Sequence, residues 1–284
     1  MTANFNIDSL LPPEMAHKAE TIGLNKANAP ARYLFVLAVL AGAFIALGAM
    51  FATIAFSSPG LPYGATRLLG GLVFSLGLIL VIVGGAELFT GNVLIVMAWA
   101  SRKVSSLHLL RNWGLVYLGN FVGATLTAGL VFLTGQYLNG SGAVGQTALS
   151  IANGKAGLGF LPAVASGILC NALVCLAVWL TYSARSTTDK ILAIVFPITA
   201  FVAAGFEHSI ANMYFLPYGL LIKSFAPAAF WELIGKTALD YSQLSWGAFF
   251  VKNLLPVTLG NILGGGVLVA AVYWVAYLWK GGKR

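Results

Sequence analysis

Long runs of apolar residues, separated by short polar segments, dominate the chain. A helix that crosses a lipid bilayer needs roughly 20 consecutive apolar residues, and six runs reach or exceed that length. They lie at 33–57, 69–100, 112–137, 159–183, 191–222 and 248–279. The pattern therefore predicts an all-α integral membrane protein with six spanning helices.

Composition supports this interpretation. Of the 284 residues, 59% are hydrophobic and only 8% are charged, which leaves too little polar surface for a soluble globule. The apolar runs fill 32–284, which we predict to be one membrane channel domain. Residues 1–31 are more polar, and Pro12 and Pro13 favour the start of a short amphipathic helix there. We expect that segment to lie at the cytoplasmic surface.

Basic residues are unevenly distributed between the two sides that six spans define. Loops rich in Lys and Arg stay in the cytoplasm, so the larger set marks that side and places both termini there. The net charge of +8 belongs to this asymmetry, and nucleic-acid binding is not needed to explain it. The larger set is Lys18, Lys26, Arg32, Arg102, Lys103, Arg111, Arg185, Lys190, Lys280, Lys283 and Arg284; the smaller is Arg67, Lys155, Lys223, Lys236 and Lys252.

The chain contains an internal repeat. RNWGLVYLGNFVG at 111–123 aligns without gaps with KNLLPVTLGNILG at 252–264, and GAELFTGN at 85–92 aligns with GFEHSIAN at 205–212. Each copy holds three spans, so the second copy must enter the membrane from the opposite side. This is an inverted 3+3 repeat, in which substrate sites lie near the midplane where paired helices are broken. We expect the second and fifth spans to be those broken helices.

Both breaks combine glycine with polar residues inside apolar spans. An unpaired ionisable side chain at a span centre costs roughly 2.5–3.5 kcal/mol, so such residues need a partner or a function. For Glu87 and Glu207 we favour support of the broken backbone, because a carboxylate can accept N–H bonds at a half-helix start. For His208 we favour a functional site, since an imidazole exchanges protons near neutral pH.

Hydroxyl and amide residues accompany the breaks. Thr90 is the natural hydrogen-bond partner of His208, because the pseudo-twofold axis brings the two breaks face to face; capping of the next half-helix is its alternative role. Asn171 lies in the fourth span, and Asn120 and Asn261 occupy matched copies. Buried amides more often join helices than contact substrate. Repeat symmetry makes Asn261 the stronger candidate of that pair.

Large apolar side chains near the breaks could close narrow slits on either side of His208. On spacing alone, ordinary packing is the better interpretation of them. The candidates are Phe74, Leu78, Leu88, Phe89, Val174 and Phe201.

Other classes of function fit less well. An intramembrane enzyme would need a nucleophile with an oriented base or a metal set, and the sequence has neither an HExxH motif nor an Asp placed to orient His208. We expect no catalytic residue, no metal ion and no cofactor. A water or polyol channel would carry paired Asn-Pro-Ala motifs, which both breaks lack. A coupled transporter remains an alternative.

ELFTGN and FEHSIANM at the breaks, with SARSTTDK and LPVTLGNILGGG, resemble the formate/nitrite transporter family over essentially the whole chain. The later runs and the amino-terminal segment resemble the formate channels of bacteria. Two features depart from them: Thr90-Gly91-Asn92 is similar to nitrite-type members, and Lys155 lacks neighbouring histidines. Formate is thus the expected substrate, nitrite the runner-up, and hydrosulfide or a broad range of small anions a further alternative.

The resemblance implies an aquaporin-like protomer in a homopentamer, with one pore in each subunit, in the bacterial inner membrane. It implies that His208 and Thr90 form the central polar site and that formate crosses with proton transfer at His208. Membrane lipid is an expected contact, and a cytoplasmic protein could bind the amino-terminal helix. Asn171, Lys155, Glu207 and Asn261 would line or support the site, and Phe74, Leu78, Leu88, Phe89, Val174 and Phe201 would form the constrictions.

Overall fold

A computed structural model describes residues 9–58 and 60–279, and most of these residues are helical. Two short 3₁₀ turns, Gln136–Leu138 and Ala238–Tyr241, lie in its connections. Residues 1–8 of the predicted amino-terminal segment and the basic residues at 280–284 lie outside the described part. The helices are α1 Pro12–Asn28, α2 Ala31–Phe56, α3 Tyr63–Gly84, α4 Phe89–Ala100, α5 Ser106–Leu133, α6 Ala143–Ala156, α7 Phe160–Ser183, α8 Thr187–Ala204, α9 Ser209–Phe225, α10 Ala228–Ile234 and α11 Ala248–Tyr277.

Six of these helices, α2, α3, α5, α7, α8 and α11, are long and apolar enough to cross a membrane. The six predicted spans are therefore confirmed. The second predicted span, 69–100, is divided into α3 and α4, and the fifth, 191–222, into α8 and α9. The all-α class with two broken helices is confirmed as well.

The two halves of the chain repeat one arrangement of helices. α1 to α5 correspond in order to α6, α7, α8, α9 and α11, and α10 is an addition to the second half. In the first half α2 packs against α3 and α5, and in the second half α7 packs against α8 and α11. The short helices follow the same rule, since α1 packs against α4 and α6 against α9.

Glycines set the distance between the paired helices. A Cβ on Gly123 of α5 would lie 1.9 Å from the carbonyl oxygen of Val39 in α2. A Cβ on Gly264 of α11 would lie 2.1 Å from the carbonyl oxygen of Ile168 in α7. The same close approach of backbones thus accounts for the glycines shared by the two sequence copies.

Both helix breaks begin with a glycine in the left-handed region. Gly85 follows α3 with φ +79°, and Gly205 follows α8 with φ +77°. Glycine adopts this conformation at a helix end with little strain. In each half, three residues outside any helix then lead into the next helix at Phe89 or at Ser209. The breaks leave backbone groups without helical partners deep in the protein, and the polar side chains of the site satisfy them.

Candidate functional site

The two breaks meet at a hydrogen bond between His208 and Thr90. Nε2 of His208 lies 3.0 Å from Oγ1 of Thr90. Both side chains are buried, with 3% and 0% of their surface exposed. His208 is the residue just before α9, and Thr90 lies in the first turn of α4. The structure therefore brings together the two residues that the sequence paired.

The second ring nitrogen of His208 indicates which tautomer is present. Nδ1 accepts a hydrogen bond from the backbone N–H of Ala211 at 3.0 Å and so caps α9. An N–H group can only donate, so Nδ1 carries no proton in this arrangement. The remaining ring proton is on Nε2, which donates to Thr90. His208 is thus a neutral imidazole whose single N–H points at the hydroxyl of Thr90.

One asparagine holds each break in place. At the first break, Asn120 accepts from the N–H of Phe89 at 2.9 Å and donates to the carbonyl of Glu87 at 2.9 Å. At the second break, Asn261 accepts from the N–H of Ser209 at 2.9 Å and donates to the carbonyl of Glu207 at 3.0 Å. Both amides therefore satisfy backbone groups that the breaks leave unpaired.

Asn120 and Asn261 are fully used by the protein itself. The amide nitrogen of Asn120 also donates to the carbonyl of Ala38, and that of Asn261 to the carbonyl of Gly167. These second bonds tie each break to α2 or α7. The geometry assigns Asn261 a positioning role at the site.

An ion pair between Lys26 and Glu87 also holds the first break, in addition to Asn120. Nζ of Lys26 in α1 lies 2.9 Å from each carboxylate oxygen of Glu87. Asn92 donates to Glu87 at 2.7 Å and accepts from Lys26 at 2.9 Å. Asn112 of α5 accepts from Asn92 at 3.0 Å and donates to the carbonyl of Lys26 at 2.9 Å. The charges of Lys26 and Glu87 are thereby paired and hydrogen-bonded.

The second break repeats this network. Nζ of Lys155 in α6 lies 2.7 Å from Glu207. Asn212 donates to Glu207 at 2.7 Å and to Asn253 of α11 at 2.7 Å. Asn253 also donates to the carbonyl of Lys155 at 3.0 Å and to Glu207 at 3.2 Å. Every member of the first network thus has a counterpart in the second.

Several members of these networks were missed as site residues. From the sequence, Lys26 was assigned only to the cytoplasmic charges. Yet Lys26 precedes Ala38 in the sequence by the same number of residues as Lys155 precedes Gly167, and these two residues bind the matched Asn120 and Asn261. Extending the repeat to α1 and α6 would have paired the two lysines. The asparagines were visible as matched copies but were not assigned to the site: Asn92, Asn112, Asn212 and Asn253.

Asn171 joins the first break to α11. Its amide nitrogen donates to the carbonyl of Thr90 at 3.2 Å and to the carbonyl of Asn261 at 2.7 Å. Its amide oxygen is buried and has no hydrogen-bond partner among the described residues. The hydroxyl of Ser209 is in the same condition. Within the described part of the chain, both polar atoms are thus without a partner near the contact between Thr90 and His208. Asn171 bonds the backbone of Thr90, and Ser209 follows His208 in the sequence.

Two cavities approach this centre from opposite sides. The first vestibule, of about 370 Å³, is lined by residues that include Lys18, Lys26, Lys190, Leu78, Glu87 and Leu88. The second vestibule, of about 260 Å³, is lined by residues that include Arg67, Lys155, Phe74, Phe201, Glu207 and His208. Basic side chains outnumber acidic ones in both, so each vestibule favours anions.

A short apolar segment separates the vestibules. Phe74 and Leu78 are four residues apart on α3, a rise of about 6 Å, yet Phe74 lines the second vestibule and Leu78 the first. Phe201 packs edge-on against Phe74 with ring centroids 5.6 Å apart. Leu78, Leu88, Phe74 and Phe201 are each at most 3% exposed. Four of the six predicted constriction residues therefore lie at this barrier.

The other two predicted constriction residues lie elsewhere. Phe89 lines neither vestibule; its ring packs edge-on against Tyr117 at 4.9 Å and Trp113 at 6.1 Å, both on α5. Val174 is 1% exposed in the core and also lines neither vestibule. The geometry favours a packing role for both residues.

This arrangement can admit a small anion from either side and offer it the hydroxyl of Thr90, which accepts from His208 and keeps its own O–H to donate. Within residues 9–58 and 60–279, no group of three His, Cys, Asp or Glu side chains is placed to hold a metal ion. The site thus consists of a neutral imidazole, a threonine and the paired charges beside them.

Comparison with known proteins gives consistent matches over nearly the whole chain. Residues 13–275 match the family described as formate/nitrite transporter. The formate channel FocA of Escherichia coli strain K12 is 47% identical over 279 residues, covering 98% of both chains. A formate channel FocA of Haemophilus influenzae is 42% identical over 262 residues, covering 92% of both chains.

A solved structure shares the fold. It is described as a pentameric formate channel with formate bound, and the likeness has a TM-score of 0.83 at 48% sequence identity. It covers 88% of this chain and 98% of that one. The family resemblance seen at the two breaks is therefore confirmed.

Proposed function

This chain belongs to the formate/nitrite transporter family, and on that basis we propose that it is a membrane channel that conducts formate through a pore in each subunit. The observation that carries the proposal is the pair of basic vestibules, separated by a short apolar barrier with His208 and Thr90 at its centre. A channel, rather than an enzyme, is what this arrangement and the relatives support.

The assembly and orientation follow from the same comparison and from charge. The solved relative is pentameric, so we propose a homopentamer in the bacterial inner membrane. The charge distribution supports a cytoplasmic side for both termini and for the first vestibule, since Lys18, Lys26 and Lys190 line that vestibule. The second vestibule then opens to the outside.

The barrier decides the form in which the substrate crosses. The barrier residues are Leu78, Leu88, Phe74 and Phe201. A bare carboxylate that enters this apolar barrier loses its hydration shell, at a cost of several kcal/mol or more. The neutral acid avoids most of that desolvation cost. Formate therefore crosses protonated. The net positive lining of both vestibules concentrates the anion first. Lys26 and Lys155 add little to that attraction, because each is paired with a glutamate.

His208 is the group that handles the proton. As a neutral imidazole it can donate a hydrogen bond from Nε2, but it can release a proton to formate only after taking up a second one on Nδ1. Nδ1 is occupied by the N–H of Ala211. Proton loading thus requires the cap of α9 to open, which ties each protonation to a small movement at the second break.

The proposal is tested with purified protein in proteoliposomes. Uptake of radiolabelled formate, nitrite and hydrosulfide is measured with and without an inward proton gradient. Formate uptake that exceeds nitrite uptake and rises with the gradient supports a formate channel with substrate protonation. Equal uptake of nitrite, without dependence on the gradient, would instead show a broad anion channel.

A further inference from the structure

Arg67 occupies a fixed position at the mouth of the second vestibule. It lies in the second turn of α3, and its guanidinium donates from Nε to the carbonyl of Ala203 at 3.0 Å and from Nη2 to the carbonyl of Val202. These carbonyls belong to the last turn of α8, where a positive charge is favoured by the helix dipole. Arg67 therefore stabilises the end of the helix that precedes the second break.

The aromatic ring of Phe56 holds the guanidinium from another side. The guanidinium carbon lies 4.7 Å from the centroid of that ring, a favourable cation–π distance. Gly70 makes room for the ring, because a Cβ there would lie 2.0 Å from an atom of Phe56. Contacts from α2, α3 and α8 thus fix both the position and the plane of the guanidinium.

Most of its donors are nevertheless unused. A guanidinium carries five N–H donors, and the two bonds to α8 use one on Nε and one on Nη2. Among the described residues, no hydrogen bond to either N–H of Nη1 is found. Arg67 is only half-buried and lines the second vestibule together with Lys155 and His208. The remaining donors are available at the wall of the cavity.

Arg67 is also the uncompensated charge of this vestibule. The charge of Lys155 is paired with Glu207 at 2.7 Å. Within the part of the chain that the structure describes, Arg67 forms no ion pair with a carboxylate. A diffusing anion therefore meets a fixed positive charge that no acidic side chain has neutralised.

We infer that Arg67 forms a carboxylate-binding subsite at the outer mouth, taking formate through two parallel N–H···O bonds before it reaches His208. This inference rests on the proposed formate channel. A planar fork fits an anion with two oxygens, such as formate or nitrite, better than a single-atom anion such as hydrosulfide. Nη2 lies only 3.3 Å from where a Cβ on Gly205 would stand, three residues before His208, so the subsite adjoins the break.

The subsite is restricted to one side of the pore. Arg67 precedes Gly85 by the same number of residues as Thr187 precedes the matched Gly205. Thr187 is therefore the repeat equivalent of Arg67. The first vestibule therefore has no arginine at the equivalent position and relies on lysines. Loss of the fork is expected to change binding from the outside only.

The test compares Arg67→Lys with wild type in right-side-out spheroplasts and in inverted membrane vesicles. Lysine keeps the charge and loses the fork. The half-saturation concentration for formate uptake is expected to rise about tenfold in spheroplasts, because the variant loses one hydrogen bond between charged groups. In inverted vesicles it is expected to stay unchanged. The inhibition constant of external hydrosulfide against formate uptake is expected to stay within about twofold, since a point charge suffices for it.

Arg111 provides a matched control for the loss of an arginine fork outside the vestibules. Its guanidinium bonds the carbonyl of Ala29 at 3.1 Å and lines neither vestibule, so Arg111→Lys should keep both half-saturation values of wild type. If Arg67 only supported α8, its replacement would lower maximal flux equally from both sides and leave half-saturation unchanged; that result overturns the subsite. Wild-type protein that passes no formate would overturn the proposed function itself.

Discussion

His208 and Thr90 join two helix breaks that lie far apart in the sequence, with Nε2 of the imidazole 3.0 Å from Oγ1 of the threonine. The two residues do not occupy equivalent positions in the repeat, because the counterpart of His208 is Leu88 and that of Thr90 is Ile210. The network of lysine, glutamate and asparagine is symmetric, whereas the contact between His208 and Thr90 is not. The His208–Thr90 contact is therefore an asymmetric polar centre within a symmetric frame.

Replacement of Thr90 by valine should impair conduction strongly. Valine has nearly the same shape but leaves the Nε2–H of His208 buried without an acceptor, a cost of about 1–3 kcal/mol. We expect formate flux to fall roughly tenfold, whereas Thr90→Ser, which keeps the hydroxyl, should stay close to wild type. Flux into proteoliposomes measures both. Wild-type flux through the valine variant would show that the hydroxyl has no part in conduction.

The two ion pairs should differ in their contribution to stability. Lys155 and Glu207 are 16% and 4% exposed at their side chains, against 29% and 10% for Lys26 and Glu87. Removing one partner of a buried pair leaves an uncompensated charge, at a cost of about 3 kcal/mol. We therefore expect Lys155→Met to lower the thermal unfolding temperature in detergent more than Lys26→Met does.

A double variant checks the cause of that loss. Lys155→Met combined with Glu207→Gln removes both charges, so it should recover most of the stability lost by Lys155→Met alone. An additive loss in the double variant would show that the pairing of the charges is not what stabilises the second break.

Close helix packing at Gly264 should not tolerate a methyl group. A Cβ there would lie 2.1 Å from the carbonyl oxygen of Ile168, so α7 and α11 would have to separate, at a cost of about 4 kcal/mol or more. Gly129 of α5 is the matched control, since a Cβ there would meet no atom within 4 Å. Size-exclusion chromatography should show assembled protein for Gly129→Ala and little for Gly264→Ala. Equal yields would contradict the role of close packing.

Shortening Leu78 should weaken selection by size. Its side chain lies at the barrier between the vestibules and is 1% exposed. Leu78→Ala removes apolar volume there, at a cost in stability of about 2–5 kcal/mol, and we expect a higher ratio of lactate to formate flux. Leu72→Ala changes a 50% exposed leucine of the same helix and should keep the wild-type ratio. An unchanged ratio for Leu78→Ala would place the size filter elsewhere.

Much of the fold could be predicted from the sequence, because apolar length and repeated motifs are local signals. The six spans, the two breaks and the pairing of Thr90 with His208 came from those signals. The role of Lys26 could not be predicted in this way, because a lysine near a terminus is also typical of a cytoplasmic loop. Its partner Glu87 lies 61 residues away in the sequence. The position of the Arg67 guanidinium could not be predicted either, because it depends on how α3 packs against α8.

Packing roles were equally hard to foresee. Phe89 is next to Thr90 in the sequence and resembles a constriction residue, but its ring lies against Tyr117 and Trp113. The direction of a side chain that follows a helix break depends on the backbone angles of the break, which apolar spacing does not specify.

His208→Asn separates protonation of formate at His208 from passage of the bare anion. Asparagine can accept the N–H of Ala211 as a helix cap and can donate toward Thr90, but it cannot carry a proton across. Formate flux into proteoliposomes is compared for both proteins with and without an inward proton gradient. If His208 protonates formate, the gradient accelerates wild-type flux and leaves the slower flux of the variant unchanged. Gradient-driven flux at the wild-type rate in His208→Asn would show that formate crosses without a proton from His208.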